Sequence, residues 1–234
     1  MALNNMFDVS NKFFVHKGFV SKPMLYVLQI AGVGVLLSGC FVGYRAYSLH
    51  RAQAAQRRFS DEMVHYINAA QEKPGSHNWN MVAGIFEEGA NEYANTSLAP
   101  FFVAYQAQAL LKANKLAEAS KAMDRAVSLM SQANPFYYTY ALKSVLMGLD
   151  VAEAENRSTD ELEKKLVELA NNKENQQRDE ALYYLGRYYL YKNNLSQART
   201  VLEELISLEN TSKDPRAVSP WANQAELLIK QIAA

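Results

Sequence analysis

The chain is poor in the residues that mark most chemical roles. A single cysteine among 234 residues, Cys40, excludes an internal disulfide framework and a cysteine-rich metal site. Six prolines and ten glycines are few, and apolar residues seldom alternate with polar ones, so strand-rich architectures find little support. Net charge is zero, from 24 basic and 24 acidic side chains, which argues against a nucleic-acid binder that works through bulk charge. The four histidines, His16, His50, His65 and His77, are scattered without the spacing of a zinc site. Gly32-Val-Gly34 lies inside an apolar run and makes no phosphate loop, and no G-x-S-x-G occurs. The pairs Glu87-Glu88 and Glu203-Glu204 read as solvated helix faces. No catalytic set, metal or cofactor is expected. With 49% hydrophobic and 21% charged residues, the expected fold is all-α.

What the chain does have is an uneven distribution of charge. Residues 1–44 carry Lys12, Lys17 and Lys22 against Asp8, and residues 45–58 add Arg45, Arg51, Arg57 and Arg58 with no acid. The remainder holds 17 bases and 23 acids, a net of −6. A basic segment beside an apolar run, followed by an acidic stretch, suits a membrane anchor that carries a water-exposed domain. Between Lys22 and Arg45 there is no charge at all. As a helix, 24–44 would be roughly 32 Å long, enough for the hydrocarbon core of a bilayer. Tyr26 near one end and Tyr44 and Tyr47 near the other are placed like interfacial aromatics. Lysine and arginine counts at the two ends, three against four, weakly favour a cytoplasmic C-terminal domain.

Two finer signals sit inside this run. Gly39 and Gly43 have the small-xxx-small spacing that lets membrane helices approach, a face through which two copies could form a homodimer. Leu37-Ser38-Gly39-Cys40 resembles the lipobox of bacterial lipoproteins, which would place a diacylglycerol on Cys40. The long polar leader and the apolar residues after the cysteine speak for a spanning helix instead.

Beyond the run, an internal repeat appears. In Glu180–Leu208, Leu182, Leu185-Gly186 and Tyr189 precede a polar turn at Asn193-Asn194, and Ala198, Leu202 and Leu205 follow. This is the tetratricopeptide pattern, in which small residues let two antiparallel helices approach and large ones fill the space between pairs. Asn194 with Gln197 is expected to cap the second helix. Shifting by 79 residues gives a weaker copy: Val103, Ala107 and Leu110, a turn at Asn114-Lys115, then Ala119, Met123 and Ala126. Two periods come to about 68 residues, so a middle unit with an insertion of about 11 is expected. Its first helix reads as 135–149, followed by a polar stretch over 151–157. Ser158-Thr-Asp-Glu161 reads as a capping box for a helix over 162–170. Helices over 79–94 and 221–232 flank the repeats, the last one covering the end of the array. The expected layout is a tail over 1–22, a transmembrane helix over 23–44, a juxtamembrane helix over 45–75 ended by Lys73-Pro74-Gly75, and a tetratricopeptide-like domain over 76–234.

In such arrays the first helix of each pair lines a concave groove. The alignment points Tyr183, Arg187 and Tyr191 into it, with Leu182, Leu185 and Tyr189 in the core. The matching positions in the earlier copy are Phe101, Ala104, Gln108 and Lys112. Tyrosines with an arginine can hold an extended or helical peptide. The alternative is that these tyrosines pack against the middle unit or the final helix.

One family resemblance follows from these stretches. Val42-Gly-Tyr-Arg-Ala-Tyr-Ser-Leu-His50, leading into an Ala/Gln/Arg helix, is similar to the membrane exit of YfgM-type ancillary subunits of the SecYEG translocon. Thr96–Ala99 through Asn114–Ala119 resembles the first repeat of that family. The resemblance implies one spanning helix in the bacterial inner membrane, a periplasmic tetratricopeptide-like domain, and a chaperone or scaffold role. The implied partners are the Sec translocon, periplasmic chaperones or exported clients. The long aromatic tail, with Phe7, Phe13, Phe14 and Phe19, and the setting of Cys40 depart from it. A tetratricopeptide lipoprotein anchored through Cys40 and acting in envelope or outer-membrane assembly is the alternative.

Overall fold

The computed structural model describes the backbone of residues 22–71, 78–211 and 219–233, and the side chains of 38–71, 78–208 and 219–232. Among the described residues every regular element is a helix. They are α1 (Lys22–Gln71), α2 (Trp79–Glu92), α3 (Ala99–Lys112), α4 (Leu116–Ser128), α5 (Tyr137–Ala154), α6 (Asp160–Asn171), α7 (Arg178–Tyr191), α8 (Leu195–Thr211) and α9 (Pro220–Ala233). The chain divides into two compact units, Met1–Ala54 and Ala55–Ala234, so the break falls inside the segment expected as juxtamembrane helix.

In the first unit, α1 begins at Lys22 and takes in the whole uncharged run. The side chains of 22–37, on which the spanning reading depends, lie outside the described residues, as does the tail over 1–21. Among the described residues no helix is long and apolar enough to cross a membrane. Gly39 and Gly43 stand one helical turn apart with open space beside both, and Cys40 is exposed.

The second unit is built from hairpins that share one turn. At Asn114, Asn156 and Asn193 the backbone is left-handed, with φ of 60°, 51° and 58°. Asparagine tolerates this region better than other residues that carry a Cβ. At each turn the next amide reaches back across the helix end: Lys115 to Leu110, Arg157 to Ala152 and Asn194 to Tyr189, at 2.9, 2.7 and 2.8 Å. This is the paired closure that satisfies orphan carbonyls at a helix C-terminus. The three turns join α3 to α4, α5 to α6 and α7 to α8, so the repeat and its middle unit stand as the sequence pattern implies.

Two local expectations need correction. Helix α5 runs to Ala154 rather than ending near 149, because Val151 and Ala152 continue its apolar face and are buried. The capping box at Ser158 does not form. Ser158 instead accepts a 3.3 Å bond from the Asp160 amide. The cap position falls on Thr159, whose hydroxyl pairs with that of Tyr188 at 2.8 Å in the interior. At α8 the expected cap is present: Gln197 N donates to Asn194 Oδ1 at 3.2 Å, and the two side-chain amides also bond.

Packing explains the small residues. A Cβ on Gly186 would come within 2.6 Å of Leu202 Cδ2, so glycine there lets Leu202 of α8 seat directly against the α7 backbone. Around this contact Ala198, Leu182 and Leu205 are buried, and Ala222 and Ala225 of α9 complete the cluster. Leu202 and Leu205 each contribute about 1.5–3 kcal/mol by leaving water.

Candidate protein-binding face

The first helices of the hairpins carry a run of aromatic side chains that begins on α1 and ends on α9. Phe59 and Tyr66 of α1 meet Tyr105 of α3 edge to face, with ring centres 5.5 and 5.3 Å apart. The Tyr66 hydroxyl donates to Gln108 Oε1 at 3.3 Å. Phe101 then meets Phe136 and Tyr140 at 5.8 and 6.1 Å. Lys143 Nζ lies 5.7 Å from the Tyr140 ring centre. On α7, Tyr183 and Tyr184 meet Trp221 of α9 at 5.0 and 5.6 Å, and the Arg187 guanidinium lies 5.9 Å from each tyrosine ring. The Tyr191 hydroxyl donates to Glu153 Oε1 at 2.6 Å and ties α7 to α5.

Charge fills the interval between α5 and α7. Burial pushes the Tyr140 hydroxyl up to about 12, with neighbouring Tyr105 adding to the shift. Glu180 is raised by burial and then by Asp179, while Lys143 pulls it back. Asp150 is raised by burial and by Glu153. Tyr184 is raised by burial and by Glu180, with Arg187 opposing. The face thus has aromatic ends and a mixed-charge middle. Aromatic pairs add about 0.5–1.5 kcal/mol beyond area burial, and an arginine over a ring at an exposed site such as Arg187 adds about 0.5–1 kcal/mol. Such a surface suits a polypeptide better than a small polar substrate.

The residues anticipated for this face fall into two groups. Lys112, Arg187 and Tyr191 are exposed, Tyr191 to 63%. Phe101 and Gln108 are half-buried in contacts already described, and Tyr183 is only 8% exposed beneath Trp221. Packing against the final helix therefore accounts for Tyr183, and the adjacent Tyr184 takes the outward position. Ala104 is fully buried, not in the groove: it lies on the α3 side that carries Val103 and Ala107. Leu182, Leu185 and Tyr189 are buried as expected. Sequence reasoning passed over Tyr105, Tyr140, Lys143, Tyr184 and Trp221. The spacing of Phe101, Tyr105, Gln108 and Lys112, in steps of four, three and four, is the signal that finds the first of them.

Away from this face, clefts of about 560 and 890 Å³ lie among α4, α5 and α6 and share Asp124, which accepts a hydrogen bond from Ser144. Their linings mix opposite charges with tyrosine, aliphatic and small polar side chains. Among the described residues no group of three histidine, cysteine or carboxylate side chains could hold a metal ion. Glu204, anticipated as solvated, is paired with Arg178 at 2.5 Å.

No protein-family model matches the chain, and no curated protein matches it. Among solved structures it is similar to a kinesin light chain-like protein of Podosopora anserina with nearly identical TPR-like repeats, and to a single-substitution variant of that protein. Each shows 13% identity and a TM-score of 0.48 over 78% of this chain, and 92% and 91% of theirs respectively. At that score the likeness carries no weight of its own. The tetratricopeptide-like fold rests on the three asparagine-turned hairpins and the Gly186–Leu202 approach.

Proposed function

We propose that this chain is a membrane-anchored, non-enzymatic scaffold that binds polypeptide segments along the first-helix face of its array. The observation that carries the reading is the aromatic run from Tyr66 to Trp221, interrupted by exposed Lys143 and Arg187. Anchoring draws its support from the uncharged run 23–44 on α1 and the four arginines that follow it. The finer form, a periplasmic accessory beside the Sec translocon that holds exported chains or chaperones in the inner membrane, draws on the resemblance at residues 42–50 and 96–119.

In-cell crosslinking from the α7 face tests the binding reading. Tyr184→Ala with Arg187→Ala is expected to remove crosslinked partners while the helical signal holds and the melting temperature drops only by what the lost Tyr184–Trp221 contact accounts for. Unchanged capture would eliminate this face as the binding surface. Protease accessibility in intact spheroplasts reads the side of the membrane. The exposed Cys40 after Leu37-Ser-Gly favours a second reading, the lipoprotein of envelope assembly. Intact mass separates the two: an uncut Met1 chain excludes lipidation, and a diacylglyceryl adduct on an N-terminal Cys40 establishes it.

A further inference from the structure

The C-terminal part of α1 docks through a stripe of side chains spaced in steps of four and three: Ala55, Phe59, Glu62, Tyr66 and Ala69. Four of the five are apolar. The fifth, Glu62, is a carboxylic acid and is 1% exposed. Its Oε1 accepts from Arg58 Nε at 2.7 Å, but its Oε2 is buried with no hydrogen-bond partner. Gly89 of α2 makes the room: a Cβ there would come within 2.7 Å of Glu62 Oε1 and 2.5 Å of the Phe102 ring. The charged groups that act on Glu62 are Arg58 on its own helix and Glu88 and Glu92 on α2, and α3 offers the apolar ring of Phe102.

An ionised carboxylate here loses its water on one oxygen and gains nothing in return, and two of its three charged neighbours repel it. A protonated one carries no charge, so it escapes the repulsion and the larger, ionic part of the desolvation cost. We propose that Glu62 is a proton-operated latch that seats residues 55–71 against α2 and α3 when protonated and loosens that seat when ionised. Burial raises the affinity of Glu62 for its proton more than Arg58 lowers it, in keeping with that direction. Phe59 and Tyr66 ride on the same helix and reach Tyr105, so the latch also sets how firmly the first wall of the aromatic run is held.

Hydrogen exchange of the full-length chain, corrected for the intrinsic pH dependence of amide exchange, tests this without any substitution. Protection of 55–71, measured relative to α7–α8, is expected to rise as pH falls from neutral toward the ordinary carboxylate value of 4.5, by at most about tenfold per pH unit. Glu62→Gln should show the acid-level protection throughout that range, and Arg58→Gln should move the transition to higher pH. Wild-type protection of 55–71 that does not change with pH overturns the proposal. So does a Glu62→Gln chain that exchanges faster than wild type at every pH, which is the mark of a simple structural ion pair.

Discussion

The C-terminal end of the array and its N-terminal end bury similar kinds of helix by different means. Around α7, α8 and α9 the core interlocks aliphatic side chains with tyrosines: Gly186 stands against Leu202, and Ala198, Leu205, Ala222 and Ala225 are buried beside Tyr183, Tyr188 and Tyr189. Its polar groups have partners: Tyr188 bonds Thr159 and Glu163, and Arg178 bonds Glu204 and the Ala170 carbonyl. Around α1, α2 and α3 the core is a cluster of rings, Phe59, Phe86, Phe102 and Tyr105, packed beside a carboxylate with one orphaned oxygen. Val64, Ile67 and Met81 remain exposed at this end, as do Leu195 and Leu227 at the other, where α9 packs on α7 and α8. Complementary shape and satisfied polar groups give the C-terminal end a single arrangement. The N-terminal end has a large apolar area but keeps a group that prefers a different state.

The largest expected effect breaks the interlocked end. Leu202→Ala should destabilise by about 2–5 kcal/mol, because the space against Gly186 cannot collapse fully. Gly186→Val should cost about 1–3 kcal/mol or more through overpacking of the same contact. If the contact is the shared cause, the double variant Gly186→Ala with Leu202→Ala should lose less than the sum of its parts. Thermal or denaturant unfolding of these chains beside wild type and Gly186→Ala reads this directly. Additive losses would show that α7 and α8 are held together elsewhere.

The second effect concerns pH and belongs to the other end. Glu62 has a folded-state pKa above its usual 4.5, so folding favours its protonated form. The stability it contributes is complete below the unfolded value and is lost as pH rises through the folded one. Denaturant midpoints of wild type should therefore fall as pH rises above 4.5 through the raised folded-state value. Glu62→Gln should flatten that slope and gain about 1 kcal/mol at neutral pH, within the usual cost of an unsatisfied buried group. Tyr188→Phe at the satisfied end should instead lose about 1 kcal/mol, since Thr159 is left in the interior without its partner. Opposite signs at the two ends would sharpen the contrast, and equal losses would erase it.

How much of this is legible in the sequence depends on how tightly a residue type binds its backbone. Leu185-Gly186 with Ala198 names a helix pair because little else fits a close crossing, and the shift of 79 residues emerges as two turns, Asn114 and Asn193, with Asn156 between them. The length of α5 is not legible. Val151 and Ala152 sit among acids and look like a loop until α6 folds back on α5, where Leu162 lies against Gly148. Nor is the choice between Tyr183 and Tyr184, since neighbours in a helix differ by about 100° of rotation and Trp221 on α9 decides which is buried. Glu62 is the opposite case. Its place in the stripe Ala55, Phe59, Tyr66, Ala69 is there to be read, but an acid beside Asp61 in a basic and polar helix looks solvated unless the spacing is followed through.

The smallest effect asks whether the two ends share anything beyond their topology. All three hairpins turn on an asparagine at φ between 51° and 60°, so the turns are equivalent although the cores beside them are not. Replacing Asn114, Asn156 or Asn193 by alanine forces a Cβ-bearing residue with no polar side chain into the left-handed region, at a cost of about 1–2 kcal/mol. Glycine at the same positions is free of that strain and should change stability by less than about 0.5 kcal/mol. Equal alanine-minus-glycine differences at 114 and 193, measured from denaturant midpoints, would mean that the turn is an autonomous repeat element. A markedly smaller difference at 114 would mean that the ring-packed end relaxes around the strained turn, as its less interlocked core allows, while the end locked by Gly186 and Leu202 cannot.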